Sequence, residues 1–222
     1  MNRTLRIEVY FDFICPWCLI GKRQLERALA RLHASQPEAA VELDWGGVQL
    51  LPDVPAVGLP FAEFYRQRLG SAEAVRLRQA QVQQAAAAAG EALDLAGIRT
   101  MPNTADAHRL FERAAALGRP AQRDALLERL FAAYFHHGED LGDCDTLLAI
   151  AEASGFARST VESCLLGDSS PYQGRYSGAG GLGVPYFVFD GCFALAGAQS
   201  DDVLLGAMRR ALAQAGSGER QA

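Results

Sequence analysis

The hydrophobic period changes close to the N-terminus, and two cysteines stand at the change. Leu5, Ile7, Val9, Phe11 and Phe13 alternate with Arg6, Glu8, Tyr10 and Asp12. That alternation is a strand over 5–13 with one apolar face. Beyond Cys15-Pro16-Trp17-Cys18 the spacing becomes helical: Leu25, Ala28, Leu29 and Leu32 recur at i, i+3, i+4 and i+7. A helix therefore runs from about Pro16 to about His33. Proline suits its first turn, where a backbone N–H would have no helical partner. Residues 41–45 alternate again and read as a second strand.

The rest of the chain fills in around this β-α-β start. From about Pro60 to Gly167 the pattern reads as helical throughout. Helices are expected over 61–69 and 72–89, the second ending in five alanines before Gly90. Asn103 or Thr104 opens a third, closing at Gly118, and Leu126, Leu127, Leu130, Phe131 and Tyr134 mark a fourth. Asp143 is placed to cap the next helix, and Ser159 with Glu162 has the spacing of a capping box. Strands return at 184–189 and 192–196, joined by the turn dipeptide Asp190-Gly191. A last helix is expected over 201–214.

Three chemistries compete for the cysteine pair. Zinc needs four ligands, usually two close pairs, and no second CxxC or HxxxH occurs in the chain. His136-His137 with Cys144 is a poor substitute, because adjacent residues leave a helix on different sides. Two inert core cysteines would not need this position. Redox chemistry would: the thiolate is the nucleophile, and a free cysteine of pKa about 8.5 is mostly thiol at neutral pH. Cys15 at a helix N-terminus meets unpaired N–H groups and the positive end of the helix dipole. Cys18 lies one turn further in and can close a disulfide with it.

Composition excludes other classes. The 222 residues carry a formal net charge of −5, with no basic stripe to neutralise phosphates, so a nucleic-acid binder is not expected. No apolar run approaches the ~18 residues of a membrane span. The start of the chain shows no signal-peptide pattern, which reads as cytoplasmic. Five cysteines without regular spacing do not suggest a disulfide scaffold. Cys164 reads as core, Cys144 as lying near a helix start, and Cys192 as exposed beyond the hairpin turn.

The segments YFDFICPWCLIGKRQLERAL, PNTADAHRL, LFAAYFHHGEDLGD and GVPYFVFDG…GAQ follow one another in this order. Together they resemble the FrnE-like subgroup of the DsbA family of thiol–disulfide oxidoreductases. The resemblance implies an α/β, thioredoxin-like fold with a large all-helical insertion. Residues 1–58 and 168–222 would form the thioredoxin-like part and 59–167 the insertion. It implies that Cys15 is the nucleophile and Cys18 the resolving cysteine. It implies a cis-proline loop at Pro185, with the Val184 backbone open to an extended substrate segment. Pro16 and Trp17 would tune the pair and meet substrate. Asn103 and His108 would border the site, although the residues alone make Asn103 a helix cap and leave His108 on the helix surface.

No bound cofactor is implied beyond the redox-active disulfide, with glutathione as a candidate electron partner. Substrates would be thiol- or disulfide-containing proteins or small molecules, and both monomer and homodimer fit. A reducing cytosol favours reductase or isomerase work. Kappa-class glutathione transferases and 2-hydroxychromene-2-carboxylate isomerases share the insertion and the GVP loop, but place a serine where Cys15 stands. A glutathione-dependent transferase or isomerase is thus one alternative, and a chaperone-like binding protein using the helical insert is another. Where relatives have a helix before the proline loop, this chain has a glycine-rich stretch, Ser169–Gly183.

Overall fold

The computed structural model describes residues 4–174, 181 and 183–218. Strand β1 (Thr4–Phe11) lies at the centre of a four-stranded sheet of order β2-β1-β5-β6. Helix α1 (Pro16–Ser35) carries the chain over to β2 (Ala40–Gly47), which pairs parallel with β1 from Thr4↔Ala40 to Phe11↔Gly47. On the other side, β5 (Tyr186–Phe189) runs antiparallel to β1, and β6 (Phe193–Ala196) antiparallel to β5. Asp190 and Gly191 turn the chain with left-handed φ of 50° and 67°, and Cys192 completes the three-residue connection, its amide donating to the Phe189 carbonyl at 2.9 Å. Asp190 Oδ1 also accepts from the Arg6 amide at 2.8 Å, so the turn is tied to the start of β1.

Leu5, Ile7, Val9 and Phe11 are buried along one face of β1, as the alternation requires. The strand ends at Phe11 rather than Phe13, because the chain turns at Asp12: the Cys15 amide donates to the Asp12 carbonyl at 3.1 Å. Strand β5 begins at Tyr186, not Val184; Pro185 just before it has no N–H for the ladder. Helix α8 (Asp201–Gly218) packs along α1, and Arg31 bridges to Asp201 and Asp202 at 2.6 and 2.7 Å.

Between β2 and β5 come α2 (Phe61–Leu69), α3 (Ala72–Ala88), α4 (Ala105–Leu117), α5 (Pro120–Phe135), α6 (Cys144–Ala153) and the single turn α7 (Arg158–Val161). The expectation of an unbroken helical block is corrected in two places. Residues 90–104 are not helical, and β3 (Leu59–Pro60) pairs with β4 (Thr100–Met101) to close that loop against the start of α2. The capping box at Ser159 is not formed either. The residue before α7 is Ala157, so Ser159 lies inside the turn, and a 3-10 segment follows at Glu162–Cys164. Asp143 does cap α6, accepting from the Thr146 amide at 2.9 Å.

Buried side chains from the sheet and from the helical segment enter one continuous core. Phe11 and Phe13, with ring centroids 4.9 Å apart, meet Phe111 of α4 and Phe131 of α5 at 5.7 and 5.4 Å respectively. On the other side of α1, Lys22 reaches Glu128 of α5 at 2.6 Å, and Arg23 pairs with Glu128 and Glu91. These contacts fix α1, and the cysteines at its N-terminus, against the helical segment.

Candidate active site

Cys15 is the N-cap residue of α1, with extended backbone (φ −88°, ψ 108°), and Pro16 opens the helix. The Cys18 amide donates to the Cys15 carbonyl at 2.9 Å, folding the four residues into one tight turn. Both cysteines are free thiols. They sit differently: Cys15 forms part of the wall of a cavity of about 340 Å³, whereas Cys18 points into the core and does not line it. Burial pushes the Cys18 thiol well above its ordinary value, and the neighbouring Cys15 adds to this through its side chain and charge. Of the two sulfurs, Cys18 is therefore the one whose burial favours the neutral thiol.

The facing wall comes from the other end of the chain. The Cys15 thiol donates to the Val184 carbonyl, with Sγ and O 3.7 Å apart. The Val184–Pro185 peptide bond is cis. Pro185 rests on α1 at Gly21, where a Cβ would come within 3.0 Å of Pro185 Cγ and 3.2 Å of Phe187 Cζ. Gly21 therefore lets the loop approach the helix, a role that no pattern in the sequence marks. Of the Ser169–Gly183 stretch, residues 175–180 and 182 lie outside the described residues.

Behind the pair, Asp12 is fully buried. Its Oδ2 accepts from the Leu50 amide at 2.7 Å, and its Oδ1 lies 3.2 Å from His108 Nε2. His108 is not on a helix surface: it is 1% exposed, stacked on Tyr172 at 5.1 Å and beside Phe13 at 5.0 Å. Asn103 accepts from the Ala105 amide at 2.9 Å and from Gln49 at 2.8 Å, and it donates to the Val54 carbonyl at 2.5 Å. Both residues brace the underside of the site. Neither lines the cavity that contains Cys15, whereas Pro16 and Trp17 do.

The rest of that cavity wall was not singled out from sequence. Phe61, Phe64 and Tyr65 of α2, with Val75 and Arg78 of α3, close over Cys15. Burial pushes the Tyr65 phenol up, with the Cys15 charge next in importance, so the hydroxyl and the sulfur share one local field. The remaining cysteines stand apart. Burial, then Asp106, pushes the Cys144 thiol up, and burial likewise raises that of Cys164, which is half-buried rather than core. Cys192 is exposed.

Among curated sequences, the chain is 26% identical to the Uncharacterized protein YwbO of Bacillus subtilis (strain 168), over 90% of this chain and 94% of that one. Among solved structures it is similar to a probable DsbA oxidoreductase from Streptomyces coelicolor, at 26% identity and a TM-score of 0.78, covering 94% of this chain and 90% of that chain. A 2-hydroxychromene-2-carboxylate isomerase shares the fold at 19% identity and a TM-score of 0.64, covering 96% and 98% of the two chains. So does the cytosolic disulfide reductase DsbM from Pseudomonas aeruginosa, at 18% and 0.52, covering 98% and 100%. The model of the DSBA-like thioredoxin domain matches residues 6–209, which is nearly the whole chain, and the chain belongs to that family.

Proposed function

We propose that the protein is a thiol–disulfide oxidoreductase in which Cys15 attacks and Cys18 resolves. The observation that carries this is the unequal placing of the two sulfurs: one in a cavity wall at a helix N-terminus, the other sealed behind it with its thiol held protonated. In the reducing direction, Cys15 sulfur attacks a substrate disulfide and releases one substrate thiolate. Cys18 then loses its proton and attacks Cys15 Sγ, releasing the second thiolate and leaving the Cys15–Cys18 disulfide. Two electrons pass from the dithiol to the substrate. The oxidising direction runs the same steps backwards. The Val184 backbone, already engaged by the Cys15 thiol, would pair with an extended substrate segment.

The reading needs no bound cofactor, and a thiol of the glutathione type would return the pair to the dithiol form. A cytoplasmic setting, where such thiols are abundant, goes with the reductase direction; DsbM, a cytosolic disulfide reductase that shares the fold, is in keeping with this. Among the described residues, no helix is long and apolar enough to cross a membrane. Cys15→Ser should abolish insulin disulfide reduction, and Cys18→Ser should stall as a mixed disulfide visible by mass. Undiminished reduction by Cys15→Ser would sink the proposal. The potential of the pair against glutathione decides the direction.

A second reading has one observation in its favour: a largely apolar cavity beside Cys15, large enough for a small molecule. In a glutathione-dependent transferase or isomerase, Cys15 would hold the thiol without a dithiol cycle. Tight glutathione binding with turnover that survives Cys18→Ser would favour it.

A further inference from the structure

The cavity wall beside Cys15 has an unbalanced charge. Among the described residues, its charged side chains are Arg68 of α2 and Arg78 of α3, and no Asp or Glu lines it. The same two helices show that this is not their general habit. On α2, Arg66 pairs with Glu63 three residues earlier, and on α3, Arg76 pairs with Glu73 in the same way. Two residues further on in each helix the arginine instead faces the cavity. Arg68 lies over the Phe64 ring at 5.9 Å and Arg78 over the Trp17 ring at 5.7 Å. Among the described residues, neither pairs with a carboxylate; Arg78 donates to the neutral Gln81 at 2.8 Å. Both guanidinium groups act on the Tyr65 hydroxyl, which also senses Cys15. Two cations, one phenol and the sulfur thus converge on one apolar chamber.

We infer that the preferred substrates are small disulfides in which a carboxylate and an apolar body lie next to the sulfur. This rests on the thiol–disulfide reading above and names the substrate class for that site. The apolar body would fill the space against Phe61, Phe64 and Trp17. The carboxylate would replace the missing counter-ion of Arg68 and Arg78, whose planar forks suit it. The disulfide would then lie against Cys15. At about 340 Å³ the chamber takes a compact molecule and not a folded segment. The protein as a whole is negative, at −5, so attraction for an anion must come from this local pair.

The test is a single turnover of the reduced protein, which needs no other reductant. Cys15 and Cys18 give two electrons, and one disulfide becomes two thiols. The probes are 5,5′-dithiobis(2-nitrobenzoate), aromatic with a carboxylate on each ring, and 4,4′-dithiodipyridine, aromatic and uncharged. Arg68→Gln with Arg78→Gln should lower the rate constant for the anionic disulfide at least tenfold and change that for the neutral one less than twofold. Arg158→Gln with Arg209→Gln removes the same charge from remote exposed sites and should leave the ratio of the two rates unchanged. Raising ionic strength from ~0.01 to ~1 M, which shortens the screening length from ~30 to ~3 Å, should erode the preference in the native protein only. An acidic cystine-bridged peptide should lose less than twofold in the cavity double variant; a loss as large as that of the small anionic disulfide would overturn the small-molecule assignment. If Cys15-dependent reduction persists with no arginine-dependent preference, the inference fails and the oxidoreductase reading stands. If neither disulfide reacts through Cys15, both fail.

Discussion

Asp12 is carried into the core because β1 ends there and α1 has not begun. The buried carboxylate survives because donors surround it: the Leu50 amide at 2.7 Å, the Ile14 amide at 3.5 Å and His108 at 3.2 Å. His108 Nε2 is the ring nitrogen that meets Asp12, and among the described residues Nδ1 is buried with no hydrogen-bond partner. That nitrogen faces Gly47, where a Cβ would come within 2.5 Å of it. The pair is a joint between the turn that presents Cys15 and helix α4. Asp12→Ala strands a buried amide and an imidazole, and should cost about 2–4 kcal/mol by urea unfolding. Asp12→Asn keeps an acceptor for Leu50 and should cost about half as much. A loss below about 0.5 kcal/mol for the alanine variant would mean that the joint contributes nothing measurable.

At the scale of elements, α1 packs against α8, α3 and the Val184–Pro185 loop, and it meets that loop closely at Gly21. Gly21→Ala trades helix propensity, worth about 1 kcal/mol, against a 3.0 Å overlap with Pro185, and should be near neutral. Gly21→Leu cannot be accommodated without moving Pro185. It should cost about 1–3 kcal/mol in thermal unfolding and slow insulin reduction, because the Val184 carbonyl moves away from Cys15. Unchanged reduction at full stability would show that the loop position is not set by this contact. Gly21 also shows what could be read from sequence. The long periodic elements were legible, and so were features set by local chemistry: Pro16 at the start of α1, Asp143 as a cap, Asp190-Gly191 as a left-handed turn. The paired strands β3 and β4 were not, since two residues carry no period. At the candidate site, the placing of Cys15 and Cys18 at the start of α1 was legible because the motif is contiguous. The wall of Tyr65, Arg68 and Arg78 was not, because only the packing of α2 and α3 over α1 brings it to the sulfur. Asp12 meets His108 across 96 positions of chain, so nothing local to either could announce the pair.

At the scale of the molecule, the polar face of α1 is fastened to the helical segment by charge. Lys22, almost fully buried, lies 2.5 Å from Glu26 and 2.6 Å from Glu128, and Arg23 pairs with Glu26, Glu91 and Glu128. The Arg23 guanidinium, helped by Lys22, holds the Glu128 carboxyl down at about 2, against an ordinary 4.5. The depressed value fixes the sign of the pH dependence. Above about pH 4.5 the carboxylate is ionised whether the chain is folded or not, and its ion pairs stabilise the fold in full. As pH falls from about 4.5 towards 2, the unfolded chain takes up a proton before the folded one does, and the contribution is lost. Because the Glu128 side chain is 40% exposed, solvent screens the pairs, and a contribution of about 1 kcal/mol is expected rather than the full value of the shift. Glu128→Gln should therefore unfold earlier than the native protein at pH 7, with the gap closing as both are titrated to about pH 2. A gap that stayed constant across that range would mean that Glu128 acts through packing alone. If the gap closes, the charge that joins α5 to α1 is the acid-sensitive fastening, and acid should loosen α5 in hydrogen exchange before it loosens β1.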